Sequence, residues 1–124
     1  MDSSLHHFNT SFLPVENGII LSMKGELDAS SSLMTINILE NIVASGVGHL
    51  ILDCTEMKNI SSAGIGVILS VYHLSLEKHT RLTLFGLQPQ IQSLFEALGI
   101  NRLMHITHTR EEALTPAAVV AKLA

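Results

Sequence analysis

The sequence predicts an α/β domain in which helices pack against one mixed, mostly parallel β-sheet. Short apolar runs typical of strands alternate along the chain with segments whose apolar residues recur every three or four positions. A helix that joins two strands places them parallel, whereas the first two strands are close enough in sequence to form an antiparallel hairpin. The 124 residues, 47% of them hydrophobic, suffice to bury a core without disulfides. We expect a single domain over residues 1–124, with residues 1–7 forming a loose tail.

The first two strands are predicted from their composition and from the turn between them. A weakly patterned run covers Phe8 to Val15, and a more apolar run covers residues 19–23 before Gly25 ends it. The intervening segment, residues 16–18, consists of Glu, Asn and Gly and favours a tight turn. We therefore expect an antiparallel hairpin at the start of the domain.

Beyond Asp28 the apolar spacing changes to that of a helix. Asp28 or Ser30 can cap its start, and Gly46 can end it. The run from His49 to Asp53 then predicts a short strand of the kind that is buried on both faces of a parallel sheet. The apolar face expected for the helix consists of Leu33, Met34, Ile36, Ile38, Leu39, Ile42 and Val43.

The second half of the chain continues the alternation. Pro89 suits the first turn of a helix, because its missing N–H costs nothing there. Thr109 and Glu112 have the spacing of a capping box, and Pro116 is expected to kink or divide the last helix near Thr115. The elements expected here are a helix to about Lys78, a strand from Arg81 to Gly86, a helix closed by Gly99, an edge strand from His105 to Thr107 and a terminal helix.

The helix that begins near Ser61 and Ser62 carries one polar stripe. Its other positions are mostly apolar, whereas the small and polar residues recur every three or four positions and share one face. Ser62 stands at the N-terminal end of that face, among free backbone N–H groups and the positive end of the helix dipole. Either serine could instead serve simply as the N-cap. The stripe consists of Ser62, Gly66, Ser70, His73 and Glu77.

Composition and charge exclude several classes of function. The formal net charge is −4, and no cluster of Lys or Arg provides the basic surface that DNA or RNA requires. No run approaches the roughly 18–20 apolar residues that span a bilayer, and residues 1–10 lack the features of a secretory signal. The single cysteine, Cys54, excludes an intrachain disulfide. We expect a cytoplasmic protein whose partners include neither a nucleic acid nor a membrane.

No catalytic constellation is evident in the sequence. The seven histidines are dispersed without the spacing of metal ligands, and surface pairing explains the one-turn separation of His73 and Glu77. Gly64 and Gly66 lack the third glycine of a dinucleotide-binding loop. Cys54 follows a buried strand and is interpreted as an inert structural thiol. The prediction is a protein that is not an enzyme and that needs no metal or cofactor.

Five segments of the chain form a more specific pattern when they are taken together. They are Gly25-Glu26-Leu27-Asp28, Leu50-Ile51-Leu52-Asp53, Ile60 to Leu69, Phe85-Gly86-Leu87 and Leu94 to Ile100. In order and spacing they resemble the STAS domain of anti-sigma factor antagonists, and the similarity covers nearly the whole chain. No single segment is decisive, but the combination is fairly specific.

The resemblance implies a STAS-like α/β domain that acts in a partner-switching pathway. In that family, a serine at the start of this helix is phosphorylated by a partner of the kinase fold that is both an anti-sigma factor and a serine-protein kinase. The unphosphorylated form binds that partner, and a PP2C-type phosphatase restores this form. Alignment on residues 64–66 places the phosphoacceptor at Ser62, with Ser61 as the second choice. The implied partner-binding residues are Glu26, Asp28, Ser61, Ser62, Gly66 and Ser70.

Two positions depart from the usual pattern of the family. Ser61 stands where an aspartate usually precedes the phosphorylated serine, and Ala63 stands where Ser or Thr often follows it. Ala63 removes a competing acceptor, which favours Ser62. The change at Ser61 supports an alternative, a STAS-fold module that binds a protein or senses a ligand without a phosphorylation switch. An enzyme that uses the helix N-terminus as an anion site has little support. For Asp28, the interpretation as a helix cap and the interpretation as a partner contact are equally favoured.

Overall fold

The computed structural model describes residues 8–115. The elements are β1 (Phe8–Val15), β2 (Gly18–Leu27), α1 (Ala29–Ala44), β3 (His49–Ile60), α2 (Ser62–Lys78), β4 (Arg81–Phe85), α3 (Pro89–Leu98), a short 3-10 helix (Ile100–Arg102), β5 (His105–Thr107) and α4 (Arg110–Leu114). The five strands form one sheet in the order β1-β2-β3-β4-β5. β1 is antiparallel to β2, and every other neighbouring pair is parallel. The predicted fold class is confirmed, whereas the tail at residues 1–7 and the kink at Pro116 lie outside the described residues.

The two faces of the sheet are covered unequally. The main core lies between the sheet and the helices α1, α2 and α3. A smaller cluster on the opposite face joins Ile20, Ile51 and Phe85 of the sheet to Ala113 of α4. The buried residues of the main core include Leu21, Met23, Leu39, Leu50, Leu52, Val67, Ile68, Val71, Leu84 and Phe95.

The buried face of α1 differs from the apolar face that the sequence predicts. Its fully buried positions are spaced by four residues and include two hydroxyl side chains; they are Ser31, Thr35, Leu39 and Val43. Thr35 Oγ1 donates a hydrogen bond to the carbonyl oxygen of Ser31 over 2.7 Å, so the helix itself satisfies this buried hydroxyl. Leu33, expected in the core, is 72% exposed. The helix is therefore rotated relative to the orientation that hydropathy alone predicts.

Both central strands extend farther than their composition predicts. β2 continues beyond Gly25 to Leu27, and β3 continues beyond Asp53 to Ile60, with Leu27 paired to Ile60. The register between them shifts at two points. Polar residues interrupt the apolar pattern in this part of β3, so hydropathy does not reveal that backbone pairing persists. Cys54 accordingly lies within the strand rather than after it.

Helix ends follow the signals in the sequence. Pro89 occupies the first turn of α3, and Gly99 ends that helix with a φ of 76°. Thr109 caps α4 through a capping box with Glu112. The Glu112 carboxylate accepts hydrogen bonds from the backbone N–H groups of His108 and Thr109, and these bonds lower the pKa of Glu112. The predicted capping box is confirmed.

The first turn of α2 lies against the end of β2. The Ser61 N–H donates to the carbonyl oxygen of Leu27 over 3.0 Å. Three residues later, a β-carbon at Gly64 would overlap that same carbonyl oxygen and would lie 2.7 Å from Ile60 Cγ1. Gly66, one half-turn farther along, has open space around the position that a β-carbon would take. Glycine is therefore required at Gly64 by packing, whereas at Gly66 it is not.

Gly64→Ala is expected to destabilise the domain by about 1–3 kcal/mol, because the added methyl group overlaps backbone that cannot move freely. Gly66→Ala is the matched control in the same helix and should be neutral or stabilising by up to about 1 kcal/mol, since alanine has the higher helix propensity. Urea denaturation of both variants measures the two free energies of unfolding. Equal effects of the two substitutions would contradict the close contact between α2 and β2.

Two histidines and a threonine form a polar chain across three neighbouring strands. His49 Nε2 lies 2.8 Å from Thr83 Oγ1, and this oxygen lies 3.4 Å from His105 Nδ1. Thr83 is buried, so its single hydroxyl proton serves one imidazole while its oxygen accepts from the other. Burial, and secondarily the charge of Arg81, lower the pKa of His49 to about 4, and the same causes lower the pKa of His105. The surroundings of both rings therefore disfavour the protonated form.

The low pKa of His49 predicts a loss of stability in acid. The unfolded chain binds a proton on this imidazole below about pH 6.5, whereas the folded chain resists protonation to about pH 4. The unfolded state therefore binds more protons between these values, and the free energy of unfolding should fall as the pH drops through this window. His49→Gln cannot titrate and should flatten the dependence, measured by urea denaturation across the window. An unchanged slope in that variant would rule out His49 as its source.

Candidate phosphorylation and partner-binding site

The N-terminus of α2 lies at the carboxyl ends of β2 and β3. Ser61 connects β3 to α2 in an extended conformation and is the N-cap of the helix. Its Oγ accepts a hydrogen bond from the Gly64 N–H over 3.4 Å, and its carbonyl oxygen accepts one from the Ile65 N–H over 2.9 Å. The structure therefore assigns the capping role, which the sequence left open between two serines, to Ser61.

Ser62 is the first residue of α2, and its side chain is exposed. The side chain of Ser61 accepts the cap hydrogen bond, so the Ser62 hydroxyl is not used as the helix cap. Val67, Ile68 and Val71, on other sides of the same helix, are buried. Ser62 therefore lies in the first turn and is more exposed than these three residues, in agreement with its predicted place at the N-terminal end of the polar face. Its hydroxyl is surrounded by backbone N–H groups that have no partner within the helix.

α1 begins next to this site, and Asp28 is its N-cap. Asp28 Oδ1 accepts hydrogen bonds from the N–H groups of Ser30 over 2.9 Å and Ser31 over 3.3 Å, and from the Ser30 hydroxyl over 2.7 Å. The Ser30 hydroxyl is the main reason that the pKa of Asp28 lies below its usual value. Of the two roles weighed for Asp28, the cap is confirmed, and the partner contact stays a prediction.

One backbone hydrogen bond brings the two helix starts together. It joins the Ser61 N–H to the Leu27 carbonyl oxygen, and these residues are the immediate neighbours of Ser62 and Asp28 in the chain. Glu26, at the end of β2, is exposed beside them. The arrangement places an exposed hydroxyl, two carboxylates and the N-termini of two helices at one edge of the sheet.

The polar stripe of α2 is exposed along its whole length. Gly66 and Ser70 follow Ser62 on this face, and the open space at Gly66 leaves the helix backbone accessible. His73 and Glu77 continue the stripe toward the C-terminal end. Leu76, one of the apolar residues of this helix, is 58% exposed beside the stripe, so the exposed face is wider and less polar than the stripe alone.

Residues 8–115 contain neither a metal-binding cluster nor a helix that could span a membrane. Within residues 8–115, no three His, Cys, Asp or Glu side chains are grouped so that they could hold a metal ion. No helix in the same span is long and apolar enough to cross a membrane. Cys54 is buried in the main core, and its burial raises the pKa of the thiol.

Several known proteins with similar sequences or similar folds are described as anti-sigma factor antagonists. The chain is 28% identical over 104 residues to the anti-sigma F factor antagonist of Paenibacillus polymyxa. This match covers 83% of this chain and 89% of that protein. An anti-sigma factor antagonist from Mycobacterium paratuberculosis has the same fold, with a TM-score of 0.81 and 19% identity over 90% of this chain and 95% of that one. The Bacillus cell fate determinant SpoIIAA in its phosphorylated form gives a TM-score of 0.66 and 17% identity over 95% and 100% of the respective chains.

The family model of the STAS domain matches residues 13–113. This range contains the start of α2, its polar stripe and the end of β2, so the whole candidate site lies within the match. The range also contains the parallel strands β2 to β5 and the helices α1, α2 and α3. The chain therefore belongs to the STAS domain family.

Proposed function

We propose that this STAS domain is an anti-sigma factor antagonist-type regulator that binds an anti-sigma factor with serine-kinase activity and is released when Ser62 is phosphorylated. The observation that carries the proposal is the position of Ser62, which is exposed, first in α2, and at the head of a stripe of small residues. The anti-sigma factor antagonists among the similar proteins, and the phosphorylated form of one structural relative, support it.

Ser62 is a better phosphoacceptor than Ser61. The Ser61 hydroxyl is occupied as a helix cap and is only partly exposed, so modification there would remove the hydrogen bond to the Gly64 N–H. A phosphate on Ser62 would lie beside free N–H groups, which favour an anion. Ser61 takes the place of the aspartate usual in the family, and serine caps a helix about as well as aspartate does. The helix start is therefore preserved despite this change.

The surface proposed to bind the partner combines the α2 stripe with the adjoining end of β2. Gly66 and Ser70 have small side chains on an exposed helix face, so a partner helix or sheet can approach the backbone closely. Glu26 and Asp28 border this surface and add negative charge, which favours a basic patch on the partner. Ser62 then lies at the edge where the helix face and the carboxylates meet.

The proposed switch works through charge and volume in the interface. A phosphate adds roughly −1.5 to −2 charges, and these would have to be desolvated against the partner near two carboxylates. The same phosphate is compatible with the folded domain, because an anion at a helix N-terminus is favourable by roughly 0.3–1 kcal/mol. A penalty of about 3 kcal/mol in the complex would weaken binding by more than about a hundredfold. The domain can therefore release its partner without refolding.

The remaining parts of the pathway follow from the same proposal. The partner is a kinase-fold protein that combines anti-sigma activity with serine phosphorylation, and a PP2C-type phosphatase returns Ser62 to its free hydroxyl. All three proteins would act in the cytoplasm. Exposure of Ser62 supports both enzymatic steps, since the kinase and the phosphatase each need direct access to the oxygen.

A STAS module without a phosphorylation switch is the second candidate. The neutral Ser61 favours it, because a kinase that recognises an acidic residue before the acceptor would lose that contact. Intact mass after incubation with the cognate kinase and ATP separates the candidates. One phosphate, absent from Ser62→Ala, supports the switch, whereas no incorporation supports the second candidate.

The substitutions Ser62→Asp and Ser62→Ala are expected to separate partner binding from stability. Ser62→Asp should remain folded but bind the partner more weakly than the unmodified protein does, because it places negative charge in the interface. Ser62→Ala should bind well and resist phosphorylation, which makes it a permanently active antagonist. Calorimetric titrations against the partner, with urea denaturation of each variant, measure both effects. Equal partner affinity of the two variants would remove Ser62 from the mechanism.

The matched control is Ser61→Ala, which removes the cap but adds no charge. It should lose about 0.5–2 kcal/mol of stability while it remains phosphorylatable at Ser62. Ser62→Ala, which removes no cap, should lose less stability than this control. The reverse order of stabilities would contradict the assignment of the cap to Ser61, and phosphate that persists in Ser62→Ala would direct the test to Ser61.

A further inference from the structure

The outer edge of β1 is open and uncharged. Within residues 8–115, β1 pairs with β2 on one side and with no strand on the other. Its eight residues, Phe8–Val15, include no charged side chain. Long uncharged edge strands pair readily with other strands, and proteins commonly block them with charges or proline. The one blocking residue in this strand is Pro14.

The hairpin register determines which backbone groups point outward. Val15 and Gly18 close a two-residue turn, and in such hairpins the closing pair exchanges backbone hydrogen bonds. Pairs then alternate along the strand, so Leu13, Ser11 and Asn9 direct their N–H and C=O groups toward β2. Phe8, Thr10, Phe12 and Pro14 direct theirs outward. Pro14 fits this alternation, because it has no N–H and therefore suits a position that makes no hydrogen bond to β2.

The side chains at these outward positions leave an apolar groove beside the open edge. Phe12 is opposite Leu21 of the main core, so its side chain lies on the helix-covered face, where it is 52% exposed. A groove of about 350 Å³ separates β1 from α1 and is lined by Phe12, Ile38, Asn41, Ile42 and Ser45. An aromatic side chain next to this edge would find apolar surface in the groove.

We propose that a second copy of this chain pairs its β1 antiparallel with this edge, with the two-fold axis at Thr10, to form a ten-stranded sheet across two protomers. This register pairs Thr10 with itself and Phe8 with the partner's Phe12, which gives about six backbone hydrogen bonds. It leaves Pro14 outside the paired segment, whereas a shift of one pair toward the turn would place Pro14 opposite Phe8 and lose a donor. Every residue that the proposed register pairs can both donate and accept a backbone hydrogen bond, which is not true of Pro14 in the shifted register.

The composition of the strand is compatible with pairing to a second copy of itself. Two identical strands meet without like-charge repulsion, although each protomer carries a formal net charge of −4. Each Phe12 would lie beside a Phe8 of the other copy, on the face that adjoins the α1 groove. The proposed dimer contact lies on the outer edge of β1, and it approaches the proposed switch surface only where Phe8 pairs with Gly25, near the end of β2.

Sedimentation equilibrium of the full chain is expected to give the mass of two copies. Thr10→Lys places two ammonium groups opposite each other at the axis and should raise the dissociation constant about fivefold or more. Asn101→Lys, an exposed position in the short 3-10 helix away from β1 and the groove, is the matched control and should have no effect. A monomer at all concentrations up to about 1 mM, or a dimer that is insensitive to Thr10→Lys, would overturn the proposal.

Crosslinking tests the register without relying on charge. Thr10→Cys places two thiols on residues whose Cα atoms lie about 5.5 Å apart, within disulfide range, whereas Ser11→Cys leaves about 8 Å. The native Cys54 is buried and gives little background. Mild oxidation should yield a covalent dimer for Thr10→Cys, together with slowed amide exchange at Phe8, Thr10 and Phe12 in the wild type. Equal crosslinking of both cysteine variants would contradict the register.

Discussion

The contact between the first turn of α2 and the last residue of β2 sets the geometry of the candidate site. The hydrogen bond from the Ser61 N–H to the Leu27 carbonyl oxygen fixes where the helix begins, and Gly64 lets the helix lie directly on that carbonyl. Because Asp28, the N-cap of α1, directly follows Leu27, the same contact also fixes the separation of the two helix starts. A larger residue at Gly64 would push α2 outward and would move Ser62 away from Asp28.

Two adjacent serines have separate tasks at this junction. Ser61 is turned toward the helix and maintains its start, whereas Ser62 is turned toward solvent and is available for modification. In the proposed switch, this separation lets a phosphate alter the binding surface while the cap that holds the helix stays intact. The helix dipole favours the added charge in the free domain, and burial of that charge opposes it in the complex. Regulation then depends on the difference between these two environments.

The sequence predicts the order of elements, the hairpin and the cap at Thr109, since each of these depends on residues close together in the chain. It does not predict the buried face of α1, because the Thr35 hydroxyl is satisfied by the helix's own carbonyl and can therefore be buried. It also misses the extension of β3 beyond Asp53, which is stabilised by pairing with β2 rather than by local composition. The choice of Ser61 over Ser62 as the cap depends on a contact with Leu27, which is distant in sequence.

The family resemblance supplied the roles of the site residues, and the structure supplies their arrangement. The central claim is that phosphate on Ser62 weakens an interface without disturbing the fold. The most direct measurement is calorimetric titration of the kinase partner with the domain phosphorylated at Ser62 and with the unmodified domain, accompanied by thermal denaturation of both. The phosphorylated form is expected to bind more than about a hundredfold more weakly, with no loss of thermal stability. Equal affinities, or a phosphorylated domain that unfolds, would contradict the central claim.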